Sequence, residues 1–198
     1  NFLKWSTCGG LDNAKGRDAD CSIAFKYGMK RDFNEWLKSL GDKAPVKTLT
    51  ELRQWNITHQ RAGAIKYGQA NLDVSDEMNL QSDRERYEAD RRKDIRLSAT
   101  NGIDAALKAH RLDAVFFPGL SSAGIAARPG YPSVAVPWAF VPVPAGQGPT
   151  AFPAGFDPKP TPYNVTFTGT ACSEAKLIEP AYSFEQATKK RIAPPQFP

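Results

Sequence analysis

Two short apolar runs, Ala114–Phe117 and Ser133–Val136, are each closed by a proline, Pro118 and Pro137, and this pairing constrains the chain more than any other feature. Runs of this length, apolar but for Ser133 and closed by prolines, read as buried strands rather than helices. Further on, Tyr163, Val165 and Phe167 alternate with Asn164, Thr166 and Thr168, the pattern of a half-buried strand. The chain before Asp113 is helical in character. Met29, Phe33, Trp36, Leu37 and Leu40 form one apolar helical stripe that Gly41 terminates. Thr48 to Glu51 reads as a capping box, in which hydroxyl and carboxylate satisfy each other's free N–H groups; a helix follows to about Ala62, burying Leu49, Leu52 and Trp55. A second box, Ser82 to Glu85, opens a long helix whose apolar side collects Tyr87, Ile95, Ala99, Ile103, Ala106 and Leu107, with Gly102 as its point of interruption. Ser173 caps a final helix carrying Leu177, Ile178, Ala181, Tyr182 and Phe184, which Pro180 should kink at a cost of about 3 kcal/mol. Residues 141–162 crowd prolines and glycines without an apolar period, the mark of a surface excursion. Helices first and helix–strand alternation later define an α/β fold class, with a sheet that is incomplete in this chain.

The 198 residues, 41% of them hydrophobic, can bury a sizeable core. The start, Asn1-Phe2-Leu3-Lys4, lacks the zones of a signal peptide and looks cut or processed. No apolar run approaches the roughly 20 residues of a membrane-spanning helix, so a membrane partner is not expected. The net charge of +5 is modest, and the densest charged segment, Asp83 to Asp94, interleaves both signs as a solvated helix face does. Nucleic acid would need a one-signed stripe with aromatics between, so no nucleic-acid partner is expected either. Cys8, Cys21 and Cys172 are odd in number and too sparse for a disulfide framework, which fits a reducing, cytoplasmic compartment. Asn56-Ile57-Thr58 and Asn164-Val165-Thr166 match the glycosylation pattern, a match too short to carry weight.

No stretch assembles a complete catalytic constellation. Gly119-Leu120-Ser121-Ser122-Ala123 follows a strand as a nucleophile elbow would, but Ala123 replaces the closing glycine, and both histidines, His59 and His110, precede the serines rather than follow them. A self-sufficient hydrolase using Ser121 or Ser122 is therefore a remote reading. Neither histidine has a partner at metal-ligand spacing. Cys8 beside Gly9-Gly10 is an ordinary thiol by default. The paired carboxylates of the charged helix read as i, i+4 ion pairs.

Asp113 to Pro118, the Gly130-Tyr131-Pro132 turn leading to Pro137, and Gly169 to Arg191 with its Ser173-Glu174, Ala181-Tyr182 and Phe184-Glu185-Gln186-Ala187-Thr188 pieces stand in the order found at the end of amidase-signature enzymes. Ala24-Phe25-Lys26 with Trp36-Leu37, Thr48 to Leu52 with Asn56, and Tyr67-Gly68-Gln69 are similar to further motifs of that family, with Ala24 where glutamate is usual. The chain thus resembles the C-terminal portion of a single amidase-signature domain covering 1–198. The resemblance implies an α/β/α sandwich around a mixed sheet and hydrolysis of a small-molecule amide by a serine nucleophile, a bridging serine and a lysine base, without a cofactor. Serine is a poor nucleophile until a base takes its proton, and backbone N–H groups must hold the oxyanion. The Gly/Ser-rich segment that carries those residues is not found in this sequence, so no catalytic residue carries over. The missing N-terminal half of the same enzyme becomes the expected partner, with homo-oligomerisation also open. For the substrate-pocket wall the resemblance and the strand-end position select Tyr67, Gln69, Phe117, Pro118 and Gly119. After Pro137 the sequence departs from the family, with Trp138-Ala139-Phe140 where a glycine is usual. The alternative reading is a non-catalytic binding module derived from the same fold.

Overall fold

The computed structural model describes residues 2–142, 155 and 159–193, so most of the 141–162 excursion lies outside the described residues. By its internal contacts the chain divides into two compact units, Asn1–Ile95 and Arg96–Pro198.

In the first unit a 3-10 turn, Phe2–Lys4, leads to β1 (Ser6–Thr7), which pairs in parallel with β2 (Cys21–Ser22), Ser6 opposite Cys21 and Thr7 opposite Ser22. Four helices follow: α1 (Ala24–Ser39), α2 (Leu49–Thr58), α3 (Ala70–Asp76) and α4 (Arg84–Ile95). The core gathers Cys8, Cys21, Ile23, Tyr27 and Met78, with the Tyr27 and Tyr87 rings stacked 4.4 Å apart. Cys8 and Cys21 are joined in a disulfide, which corrects the expectation of unpaired thiols; Cys172 remains free. Sparse cysteines say nothing against one bridge, and these two lie at a strand pairing that spacing does not reveal. Disulfides persist in oxidising compartments, so the cysteines no longer support a reducing one.

The capping box of α2 forms in part. Thr48 Oγ1 accepts from the Glu51 N–H at 3.1 Å, but the Glu51 carboxylate reaches one residue further back, to the Lys47 N–H at 2.7 Å. The helix ends at Thr58, and Trp55, expected in the core, is 49% exposed and stacks on the His59 ring 4.0 Å away. Leu49 alone of the three expected residues is fully buried. The Ser82 box does not form. Asn79 Oδ1 accepts the N–H groups of Gln81 and Ser82, and Asp83 Oδ2 accepts that of Asn79, so an asparagine turn organises the start of α4. The charged face is less solvated than its sequence suggests: Asp94 is buried, accepting from Trp5 Nε1 at 2.9 Å and Ser22 Oγ at 2.6 Å, and Asp90 accepts the Ile23 N–H. Arg84 and Glu88 form the expected exposed i, i+4 pair.

The second unit opens on a π-helical stretch, Arg96–Ile103, and α5 (Asp104–His110). The single long helix expected from Ser82 is thus interrupted, and Gly102 marks the place, with φ −118° and ψ −107°. A Cβ on Gly102 would stand 2.8 Å from the Leu97 carbonyl oxygen and 3.4 Å from Ile125 Cδ1. Gly102→Ala should therefore destabilise the chain by about 1–3 kcal/mol, read as a lowered urea midpoint at unchanged slope.

Strands β3 (Val115–Pro118), β4 (Ser133–Val141) and β5 (Thr161–Thr168), with α6 (Ala123–Ala127) between β3 and β4, form a sheet in the order β3-β5-β4, both flanking strands antiparallel to β5. One face packs on α7 (Glu174–Thr188) through Val134, Val136, Val165, Ala181 and Phe184. The cluster of Ile103, Leu107, Ala126 and Val115 carries the π-helical stretch, α5 and α6 against β3. β5 is consequently central, and two of its threonines are buried too: Thr166 is 1% exposed and Thr168 0%, the latter sharing a 2.8 Å hydrogen bond with Ser133 Oγ. The half-buried reading of β5 was drawn from polarity, and threonine hydroxyls that find partners can be buried at little cost. The reverse holds for β3 and β4, expected to be buried: Phe116 is 51% exposed and only Val136 of β4 is fully buried, because both strands stand at the edges of the described sheet. α7 runs unbroken through Pro180, and Ser173 Oγ, expected to cap it, donates instead to the Thr170 carbonyl.

Candidate functional site at the carboxyl end of the strands

β3 and β4 run in the same direction on either side of β5, which brings their carboxyl ends to one edge. Pro118 faces Val165 and Pro137 faces Asn164 in register. The two prolines that close the apolar runs therefore frame one place, where ligands of open α/β sheets bind.

At this edge the chain leaves β3 through Gly119, whose φ of +60° suits glycine. Its N–H donates to the Asn164 carbonyl at 2.8 Å, and its carbonyl accepts from Thr166 Oγ1 at 2.6 Å and from Asn164 Nδ2 at 3.4 Å. Asn164 Nδ2 also donates to Thr166 Oγ1 at 3.1 Å. The turn is thereby locked to β5. A Cβ at Gly119 would meet the Tyr163 ring at 3.3 Å, so glycine also lets that ring close over the turn. Neither serine here is set up as a nucleophile: Ser121 Oγ donates to the Pro118 carbonyl at 2.7 Å, and Ser122 is buried.

Beyond Tyr163 lies a cavity of about 490 Å³ between the outer ends of β4 and β5 and the segment after α7. A β-bulge between Pro137 and Ala139 shapes it. The extra residue, Trp138, turns away to pack on Phe184 at 5.5 Å, and small Ala139 is left to line the space with Phe140. Bulges re-aim side chains in this way beside functional sites.

Of the residues selected from the sequence, Phe117, Pro118 and Gly119 come together at this edge. Tyr67 and Gln69 belong to the first unit. Tyr67 is 92% exposed, while Gln69 Oε1 accepts from Asn56 Nδ2 at 3.1 Å and ties the turn to α2. Tyr163, Asn164 and Thr166 were not selected. The signal that could have found them was present in Asn164-Val165-Thr166, since i, i+2 spacing in a strand puts both polar side chains on one face. Among the described residues no cluster of histidine, cysteine and carboxylate groups could hold a metal ion, and no helix is long and apolar enough to cross a membrane.

Proteins described as amidases are among those similar to this chain. An Arabidopsis thaliana protein described as a probable amidase is 30% identical over 183 residues, covering 92% of this chain. Among solved structures, the peptide amidase of Stenotrophomonas maltophilia is 32% identical with a TM-score of 0.68 over 88% of this chain, and an amidase family protein of Bacillus anthracis is 25% identical with a TM-score of 0.66 over 85%. No family model matches the chain. These relatives bear out the amidase resemblance and the mixed α/β fold read from the sequence. The chain spans about a third of their length: 32% of the Arabidopsis protein, 34% of the peptide amidase and 29% of the Bacillus protein.

Proposed function

We propose that this chain is the closing, C-terminal portion of an amide hydrolase, contributing sheet and pocket wall to a site whose nucleophilic serine, bridging serine and lysine lie in the rest of the enzyme. The observation that carries this reading is the pairing of near-complete coverage of this chain with a third of peptide amidase, at a TM-score of 0.68. The two serines of the Gly119 turn agree with it, since one hydroxyl is spent on a carbonyl and the other is buried. An unactivated serine does not attack an amide at a useful rate. Phe117, Pro118 and Gly119 are the wall residues that the second unit supplies.

The test is reconstitution. The 198-residue chain alone should hydrolyse a peptide amide no faster than buffer, and the same chain joined to the rest of the enzyme should turn it over. Ser121→Ala and Ser122→Ala should keep most of that rate, because neither hydroxyl touches the reacting atoms. Turnover by the purified chain alone, abolished by either serine substitution in folded protein, would move the chemistry into this chain and defeat the proposal.

A further inference from the structure

We propose that the cavity beyond Tyr163 binds an apolar molecule bearing a carboxylate, the acyl product class that amide hydrolysis releases. The naming of the ligand as product rests on the hydrolytic reading, whereas the binding itself rests on the cavity alone. The volume, about 490 Å³, falls within the range of sites for small organic ligands. Its walls are apolar: Pro137, Ala139, Phe140 and Tyr163 supply rings and methyl groups, and the bulge keeps the Trp138 indole out of the space. Such walls favour an apolar body through the area they remove from water.

Among the described residues the rim is charged with a single sign. After α7, Lys189 is held in a left-handed conformation with φ 48°, and the next two residues, Lys190 and Arg191, border the cavity. Both are exposed, and among the described residues neither has an ion-pair or hydrogen-bond partner. Two cations that no described residue pairs, beside an apolar hollow, complement an apolar molecule with an anionic head, and the guanidinium of Arg191 presents the fork that matches a carboxylate in a bidentate pair. Cleavage of a carboxamide leaves the acyl half with that head and the substrate without it. The site therefore discriminates product from substrate by charge.

The probe is 3-phenylpropionate, compared with its neutral isostere 3-phenylpropanamide, titrated into the 198-residue chain and followed by ligand-observed NMR. The carboxylate should bind saturably and the amide about tenfold more weakly, the loss expected for one charge-assisted contact. The double substitution Lys190→Glu, Arg191→Glu should remove that preference while the circular dichroism spectrum stays unchanged, since both side chains are exposed. Ala139→Trp should fill the hollow and abolish binding of both probes. No saturable binding, equal affinity for acid and amide, or binding indifferent to charge reversal would each overturn the proposal. Turnover of the reconstituted enzyme is a separate readout: hydrolysis without carboxylate binding here removes this inference and leaves the hydrolytic one standing, and binding without hydrolysis does the reverse.

Discussion

Lys26→Met should cost the chain about 3–5 kcal/mol, the penalty for leaving buried carboxylates without their cation. Lys26 is fully buried in α1, and its ammonium is shared by Asp18 Oδ2 at 2.7 Å, Glu77 Oε1 at 2.8 Å and the Asn13 carbonyl at 3.0 Å. These partners come from the loop before β2 and from the end of α3, so one charge pins three segments. Asp18 keeps Arg86 as a second partner, through both its side chain and its backbone carbonyl, and this holds the loss short of complete unfolding. Lys15, paired with Asp83 at the surface, provides the control, because its side chain is 56% exposed and Lys15→Met should change stability by less than about 1 kcal/mol. Urea melts of the two variants read the difference, and equal effects would show that burial does not govern these pairs.

The same cluster sets an acid limit. Burial opposes the Asp18 carboxylate, but its hydrogen bonds and charge interactions with Lys26 and Arg86 outweigh this and hold its pKa below the ordinary 3.8. A depressed carboxylate lends stability that is complete above the ordinary value and is lost as pH falls through the lower folded value. The acid limb of the stability curve should flatten in Lys26→Met.

Much of this was legible because it follows from periodicity and from residues that force a conformation. The proline-closed runs became β3 and β4, Thr48 capped α2, and Gly102 marked the break in the long helix. What failed to show was decided by partners distant in sequence. Lys26 reads as a surface residue until Asp18 and Glu77 are brought to it, and Asp94 reads as solvated until Trp5 and Ser22 arrive. Trp55 illustrates the opposite error, since a large aromatic on an apolar stripe reads as core, yet it stacks on His59 at the surface. The site shows the same division: Phe117 to Gly119 could be selected from strand-end position, whereas Thr166 enters only through the antiparallel pairing of β5 with β3, which sets its hydroxyl on the Gly119 carbonyl. Gly169 belongs to a motif of the resemblance, and its reason is steric, because a Cβ there would collide with the Ser173 side chain.

Reduction of the Cys8–Cys21 bridge should lower stability by about 2–5 kcal/mol, a loss comparable with that of Lys26→Met but reached through the unfolded chain. The bridge spans a sequence separation of 13 residues, and a loop of about that length loses roughly 3 kcal/mol of closure entropy when cross-linked. The native segment has little else to close it: β1 and β2 share two residue pairs, and the turns between contain the short 3-10 helix Leu11–Asn13. Asp18, which anchors Lys26 and Arg86, lies inside this loop, so opening the bridge also loosens the buried ion cluster. The two losses should therefore not add. In a cycle of Cys8→Ala, Cys21→Ala and Lys26→Met, urea melts should show the combined variant more stable than the sum predicts, by about 0.5–3 kcal/mol, the coupling expected of residues that act on one loop. Strict additivity would separate bridge from cluster, and a melt unchanged by reductant would mean that β1 and β2 hold the loop without it.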